Sequence, residues 1–92
     1  MTGKVLNWGL LSTARINRAL IPAIQSSGRN RLQAVASRSL ERAEAYARQW
    51  RIPQAVAGYE ALLDDPQIDV IYNSLPNHLH AEWSIRALRA GK

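Results

Sequence analysis

Short apolar runs alternate with helix-period segments along this whole chain, and that alternation most constrains its fold. Residues 5–11 are apolar apart from Asn7 and Gly9, which predicts a buried strand. Ile16, Leu20, Ala23 and Ile24 then recur at helical spacing. Ser12 or Thr13 is placed to cap that helix. Pro22 is expected to kink it or end its regular part, and Gly28 to close it in a left-handed conformation. A second strand over 32–37 leads to a helix over 40–50, capped by Ser39. Its predicted buried stripe is Leu40, Ala43, Ala47 and Trp50, with Glu44 one turn from Arg48. Residues 55–57 predict a third strand, and 59–63 a helical turn stopped by Asp64-Asp65-Pro66. A fourth strand spans 70–74. Asn77 caps a last helix over 78–90, which carries Leu79, Trp83 and Ala87 on one face and stops at Gly91.

Strand and helix in strict alternation predict an α/β domain with a parallel sheet and right-handed crossovers. Ninety-two residues allow one domain. The chain has no cysteine, which excludes a disulfide framework, a thiolate metal site and a cysteine nucleophile. No apolar run approaches the roughly 18 residues of a membrane span, and no signal peptide is evident, so a cytoplasmic location is expected. The charge is lopsided. Residues 1–51 carry nine Lys or Arg and two Asp or Glu, net +7, whereas 52–92 are net −2. A basic half suits an anionic partner, either a nucleic acid or a phosphate-bearing small molecule; it also fits arginines that simply solvate helix faces.

Open parallel sheets bind ligands outside the carboxyl ends of their strands. Three loops lie there. The first, Ser12-Thr13-Ala14-Arg15-Ile16-Asn17, sits where a glycine-rich turn would present helix amides to a pyrophosphate. Ser, Ala and Asn occupy the glycine positions, so the stretch fails as a glycine fingerprint and also fits a plain strand-turn-helix. A Ser hydroxyl can still donate to phosphate. The second loop, Ser37-Arg38-Ser39, lacks the carboxylate that accepts from ribose hydroxyls in NAD-binding sheets. Arg38 and a serine hydroxyl, with Arg42 in the next helical turn, suit a 2′-phosphate, although loop arginines are also ordinary surface residues. The third loop carries Leu75-Pro76-Asn77-His78-Leu79-His80. Two histidines so spaced on a helix start do not face one way, so no metal site is expected. Trp8, Trp50 and Trp83 read as packing residues.

Four stretches together resemble the N-terminal part of the Gfo/Idh/MocA oxidoreductases. They are Trp8 to Ile16, Val35 to Ser39, Tyr59 to Asp64 and Asp69 to His80, and the resemblance covers essentially the whole chain. The Ser-Thr-Ala turn resembles a branch near the dihydrodiol and sugar dehydrogenases. The Ser37, Arg38, Arg42 spacing is similar to members that use NADP. The resemblance implies a Rossmann-type parallel sheet in strand order 3-2-1-4 with helices on both faces. It implies that Ser12, Thr13, Ala14, Arg15 and Ile16 contact the pyrophosphate and that Ser37, Arg38 and Arg42 contact the 2′-phosphate of NADP, with NAD as the alternative. It places Leu75, Pro76, Asn77 and His80 toward the nicotinamide. Family members continue into a fifth strand and a Glu-Lys-Pro motif whose lysine assists proton transfer, then a substrate domain; Lys92 is not that lysine. Residues 1–92 are thus expected to be an incomplete N-terminal dinucleotide-binding domain. They would have no catalytic residue of their own and no turnover alone, and would meet a small-molecule substrate, a sugar or polyol, only in a full-length form. A homo-oligomer is expected, because no Lys, Arg or Pro guards the fourth strand. A non-catalytic nucleotide-binding or interaction module is the alternative. A nucleic-acid partner is disfavoured, since the bases are not interleaved with aromatics and no reader motif appears.

Overall fold

The computed structural model describes residues 5–14 and 17–92, apart from the Asn77 side chain. The elements follow the expected order. They are β1 (Leu6–Leu11), α1 (Asn17–Gln25), β2 (Asn30–Ser37), α2 (Leu40–Trp50), β3 (Gln54–Ala57), α3 (Glu60–Leu63), β4 (Val70–Tyr72) and α4 (Asn77–Arg89). The strands form one parallel sheet in the order β3-β2-β1-β4, as the alternation and the family resemblance implied.

A bulge sorts the side chains to the two faces. Trp8 pairs with Leu32 and Gly9 with Ala34, which leaves Gln33 unopposed. Residues two apart on a regular strand share a face; Leu32 and Ala34 do not. Leu32 packs with Leu10, Val35, Ile21, Ile24, Ala47 and Ile52. Ala34 and Ala36 pack with Leu11, Leu62, Leu63, Ile68, Trp83 and Ala87 on the other side. Helices α1 and α2 therefore cover one face, and α3 and α4 the other. Gly9 lets α3 approach β1 closely: a Cβ there would lie 3.0 Å from Leu62 Cδ1 and 3.3 Å from Ile68 Cγ2.

Several local expectations are corrected. Pro22 lies inside α1, which runs on to Gln25. The buried Ile21 and Ile24 hold that turn against the sheet while Pro22 faces solvent. Gly28 does not take a left-handed conformation; α1 ends through Ser26, whose amide donates to Pro22 O and whose hydroxyl donates to Ala23 O. The left-handed residue after α2 is Arg51, with φ 58°. Leu40 is 47% exposed, because it opens α2 at the sheet rim; Ala43 and Ala47 make the buried contact. Glu44 and Arg48 form no ion pair with described residues. Strand β4 stops at Tyr72 because Asn73 turns the chain. Its Oδ1 accepts from Leu75 N, and its Nδ2 donates to His80 O and Ser84 Oγ. Pro76, not Asn77, holds the cap position of α4, and its carbonyl accepts from the amides of Leu79 and His80. Gly91, at φ 83°, stops that helix as expected.

Candidate functional site

The strand order reverses between β1 and β4, and the chain ends that meet there are Ser12 and Ser74. Their hydroxyls lie 2.7 Å apart, bridging the switch point. Ser12 has φ 144°, a backbone region that favours glycine and costs another residue on the order of 1–3 kcal/mol. Hydrogen bonds surround it. Ala14 N donates to Ser12 Oγ at 3.2 Å, closing a local serine turn. Asn17 Nδ2 donates to Ser12 O at 3.0 Å, and Asn17 N donates to Ala14 O at 3.1 Å. Ala14 O also accepts from the phenol of Tyr46, 3.2 Å away on α2. Burial pushes the Tyr46 phenol above its usual pKa, opposed by the Asn17 side chain and the charge of Arg18. The group therefore stays protonated and able to donate. Asn17 is fully buried, and its Oδ1 has no hydrogen-bond partner among the described residues.

The end of β2 is built differently. Ser37 is buried, its Oγ accepts from Ser39 N, and its carbonyl accepts from Gly58 N. Ser39 caps α2 by accepting from Arg42 N at 3.3 Å. Arg38 and Arg42 are exposed and form no ion pair with described residues. Ser12, Thr13, Ser37, Arg38, Ser39, Arg42 and Tyr59 line one cavity of about 270 Å³, with no carboxylate among them. A second cavity of about 290 Å³ shares Arg38 and Tyr59 and is lined further by Gly58, Glu60, Leu79, Glu82 and Trp83. Tyr59 packs edge-on against Trp83, ring centroids 5.2 Å apart, and Arg86 lies 4.6 Å from the centre of the Trp83 ring. A polar, cationic chamber beside a largely apolar one suits a ligand with phosphate at one end and a planar ring at the other.

The structure thus brings Ser12, Thr13, Ser37, Arg38 and Arg42 to one cavity. Ala14 stands in the adjoining turn, half-buried. Arg15, Ile16 and the Asn77 side chain lie outside the described residues. None of the third loop's described side chains lines this cavity: Leu75 belongs to the core on the α4 side, while Pro76 and His80 are exposed at the head of α4. Lys92 stands apart, its Nζ donating to the carbonyls of Asp65 and Ile68. Tyr46, Tyr59 and Ser74 were not foreseen at the site. Tyr59 was legible only as the residue after Gly58; Tyr46 and Ser74 gave no local signal, since their contacts span 32 and 62 residues.

A cleft at the reversal of an open parallel sheet, with cationic side chains beside a helix start, is where nucleotide-binding α/β domains take their ligands. Residues 6–92 match the GFO_IDH_MocA family, described as an oxidoreductase family with an NAD-binding Rossmann fold, and the chain belongs to it. It is 47% identical over 77 residues to D-xylose 1-dehydrogenase (NADP(+)) 2 of Haloferax volcanii, covering 83% of this chain and 23% of that protein. It is 45% identical over 92 residues to dTDP-3,4-didehydro-2,6-dideoxy-alpha-D-glucose 3-reductase of Streptomyces violaceoruber, covering 99% and 27%. The solved 3-ketoreductase KijD10 of Actinomadura kijaniata, in complex with NADP, superposes with a TM-score of 0.90 at 38% identity, covering 97% of this chain and 28% of that one. The chain spans about a quarter of the length of these relatives. No helix among the described residues is long and apolar enough to cross a membrane.

Proposed function

We propose that these residues form the NADP(H)-binding domain of a cytoplasmic oxidoreductase acting on a sugar, polyol or related hydroxy or carbonyl compound. The observation that carries this reading is the cavity at the end of β2. It offers the guanidinium groups of Arg38 and Arg42 and the hydroxyl of Ser37, and no carboxylate is among the described residues that line it. A ribose bearing only hydroxyls would find no carboxylate to accept from them there, whereas a 2′-phosphate would find charged donors. The NADP-dependent xylose dehydrogenase and the NADP-bound ketoreductase support the same choice.

The residues fit the whole dinucleotide in outline. The turn of Ser12, Thr13 and Ala14, followed by Arg15 and Ile16, would hold the pyrophosphate at the start of α1. Tyr59, Leu79 and Trp83 would flank the adenine beside Arg38, in the second cavity. Leu75, Pro76, Asn77 and His80 would lie toward the nicotinamide, which supplies the hydride chemistry when bound. This chain's own part is binding and orientation.

Calorimetric titration with NADP and with NAD tests the reading. NADP should bind at least about tenfold more tightly, since one charged hydrogen bond contributes about 1.5–3 kcal/mol. Equal affinities would refute it.

The same reading includes self-association of the 92-residue chain. Strand β4 forms an outer edge of the sheet, and no Lys, Arg or Pro lies within 70–74. Beside it runs a groove lined by Ile71, Ala87 and Leu88, the last 73% exposed, together with Asn73, Ser84 and Lys92. A second copy pairing along β4 would cover both. Sedimentation over a concentration series should show a dimer, and a monomer at high micromolar concentration would exclude this pairing.

A further inference from the structure

Glycine-rich phosphate turns owe their shape to glycine's freedom at positive φ. Here the first such position is Ser12, at φ 144°. A strained backbone of this kind persists only where its surroundings over-determine it. Three side chains do this here. Tyr46 donates to Ala14 O from α2, Asn17 donates to Ser12 O from α1, and Ser74 meets Ser12 Oγ from beyond β4. Each contact comes from a different element, and Tyr46, Asn17 and Ser74 are not among the described residues that line the cavity of Arg38 and Arg42, whereas the Ser12 they hold is.

We infer that Tyr46 and Ser74, together with Asn17, are positioning residues for the pyrophosphate turn: side-chain hydrogen bonds hold the shape that glycines hold elsewhere. This rests on the reading of the turn at residues 12–14 as part of the pyrophosphate site. Tyr46 is the sharpest member. Its ring packs against Trp50, with centroids 6.3 Å apart, so Tyr46→Phe keeps the packing and removes only the hydroxyl. Freed of that bond, the Ala14 carbonyl and the amides around it sample other orientations. A pyrophosphate would then meet a turn that must be ordered on binding.

The test compares ligands with and without a pyrophosphate, on the 92-residue chain and its Tyr46→Phe variant. NADP contains both the pyrophosphate and the 2′-phosphate, while adenosine 2′-phosphate contains only the latter. The variant should bind NADP about threefold to tenfold more weakly, the worth of one neutral hydrogen bond, and adenosine 2′-phosphate as the unaltered chain does. In the ligand-free variant, amide exchange at Thr13 and Ala14 should quicken by a similar factor, with exchange in β2 unchanged. Parallel loss for both nucleotides would reduce Tyr46 to a fold-stabilising residue and overturn the inference, as would no loss for either. Should Tyr46→Phe unfold, Ser74→Ala, at a half-buried position, carries the same expectations. If the unaltered chain binds neither nucleotide, the cofactor reading fails. The exchange rates then decide this inference alone: quickening at 13–14 supports it, and unchanged rates overturn it.

Discussion

The turns after β1 and β2 are both strand-to-helix crossings on the same rim of the sheet, yet they are held in opposite ways. In the first, polar side chains spend their hydrogen bonds within the fold: Asn17 and Tyr46 donate to loop carbonyls, and the Ser12 and Ser74 hydroxyls bond each other. In the second, only the small serines turn inward, and the long cationic side chains of Arg38 and Arg42 remain exposed. The first turn provides shape and the second provides charge. Loss of a buried side chain in the first should therefore disturb the shape of the turn, whereas loss of an exposed arginine in the second should alter which ligand binds and leave stability alone.

The largest expected effect comes from Asn17→Asp. The site is fully buried, and the carboxylate would face the Ser12 carbonyl that now accepts from Asn17 Nδ2. An uncompensated buried charge costs about 3–5 kcal/mol, a large share of what a small domain has. Urea unfolding at neutral pH should show the variant largely unfolded, and a midpoint equal to that of the unaltered chain would break the contrast. A smaller effect is expected from Ser39→Ala. This removes the oxygen that accepts from Arg42 N while leaving both guanidinium groups in place. Loss of an N-cap costs about 1 kcal/mol. The melting temperature should fall by a few degrees and the ratio of NADP to NAD affinity should hold. A collapse of that ratio would show that Ser39, not the arginines, reads the phosphate.

The order of elements was legible because each strand is a short apolar run and each helix has its own period. The charge-bearing loop was legible too, since Arg38 and Arg42 act through their own side chains next to a cap, Ser39, that is itself a local signal. The shape-bearing loop was not. Ser12, Ala14 and Asn17 read as a failed glycine motif, because the residues that rescue the turn, Tyr46 and Ser74, lie far along the chain. The bulge at Gln33 was hidden for a similar reason: it exists only in the register between β1 and β2. Leu40 matched the helical stripe and is nonetheless exposed, because periodicity marks a face without saying how far the sheet beneath it extends.

The most direct test of the account is the Arg38→Ala variant, titrated by calorimetry with NADP and with NAD. Arg38 lines the cavity at the end of β2 without an ion-pair partner among described residues, so its removal leaves no orphaned charge in the fold. The variant should bind NADP about tenfold or more weakly, the worth of one charged hydrogen bond, and should bind NAD almost as the unaltered chain does. Equal losses for the two cofactors would contradict the claim that this turn supplies the charge that reads the 2′-phosphate.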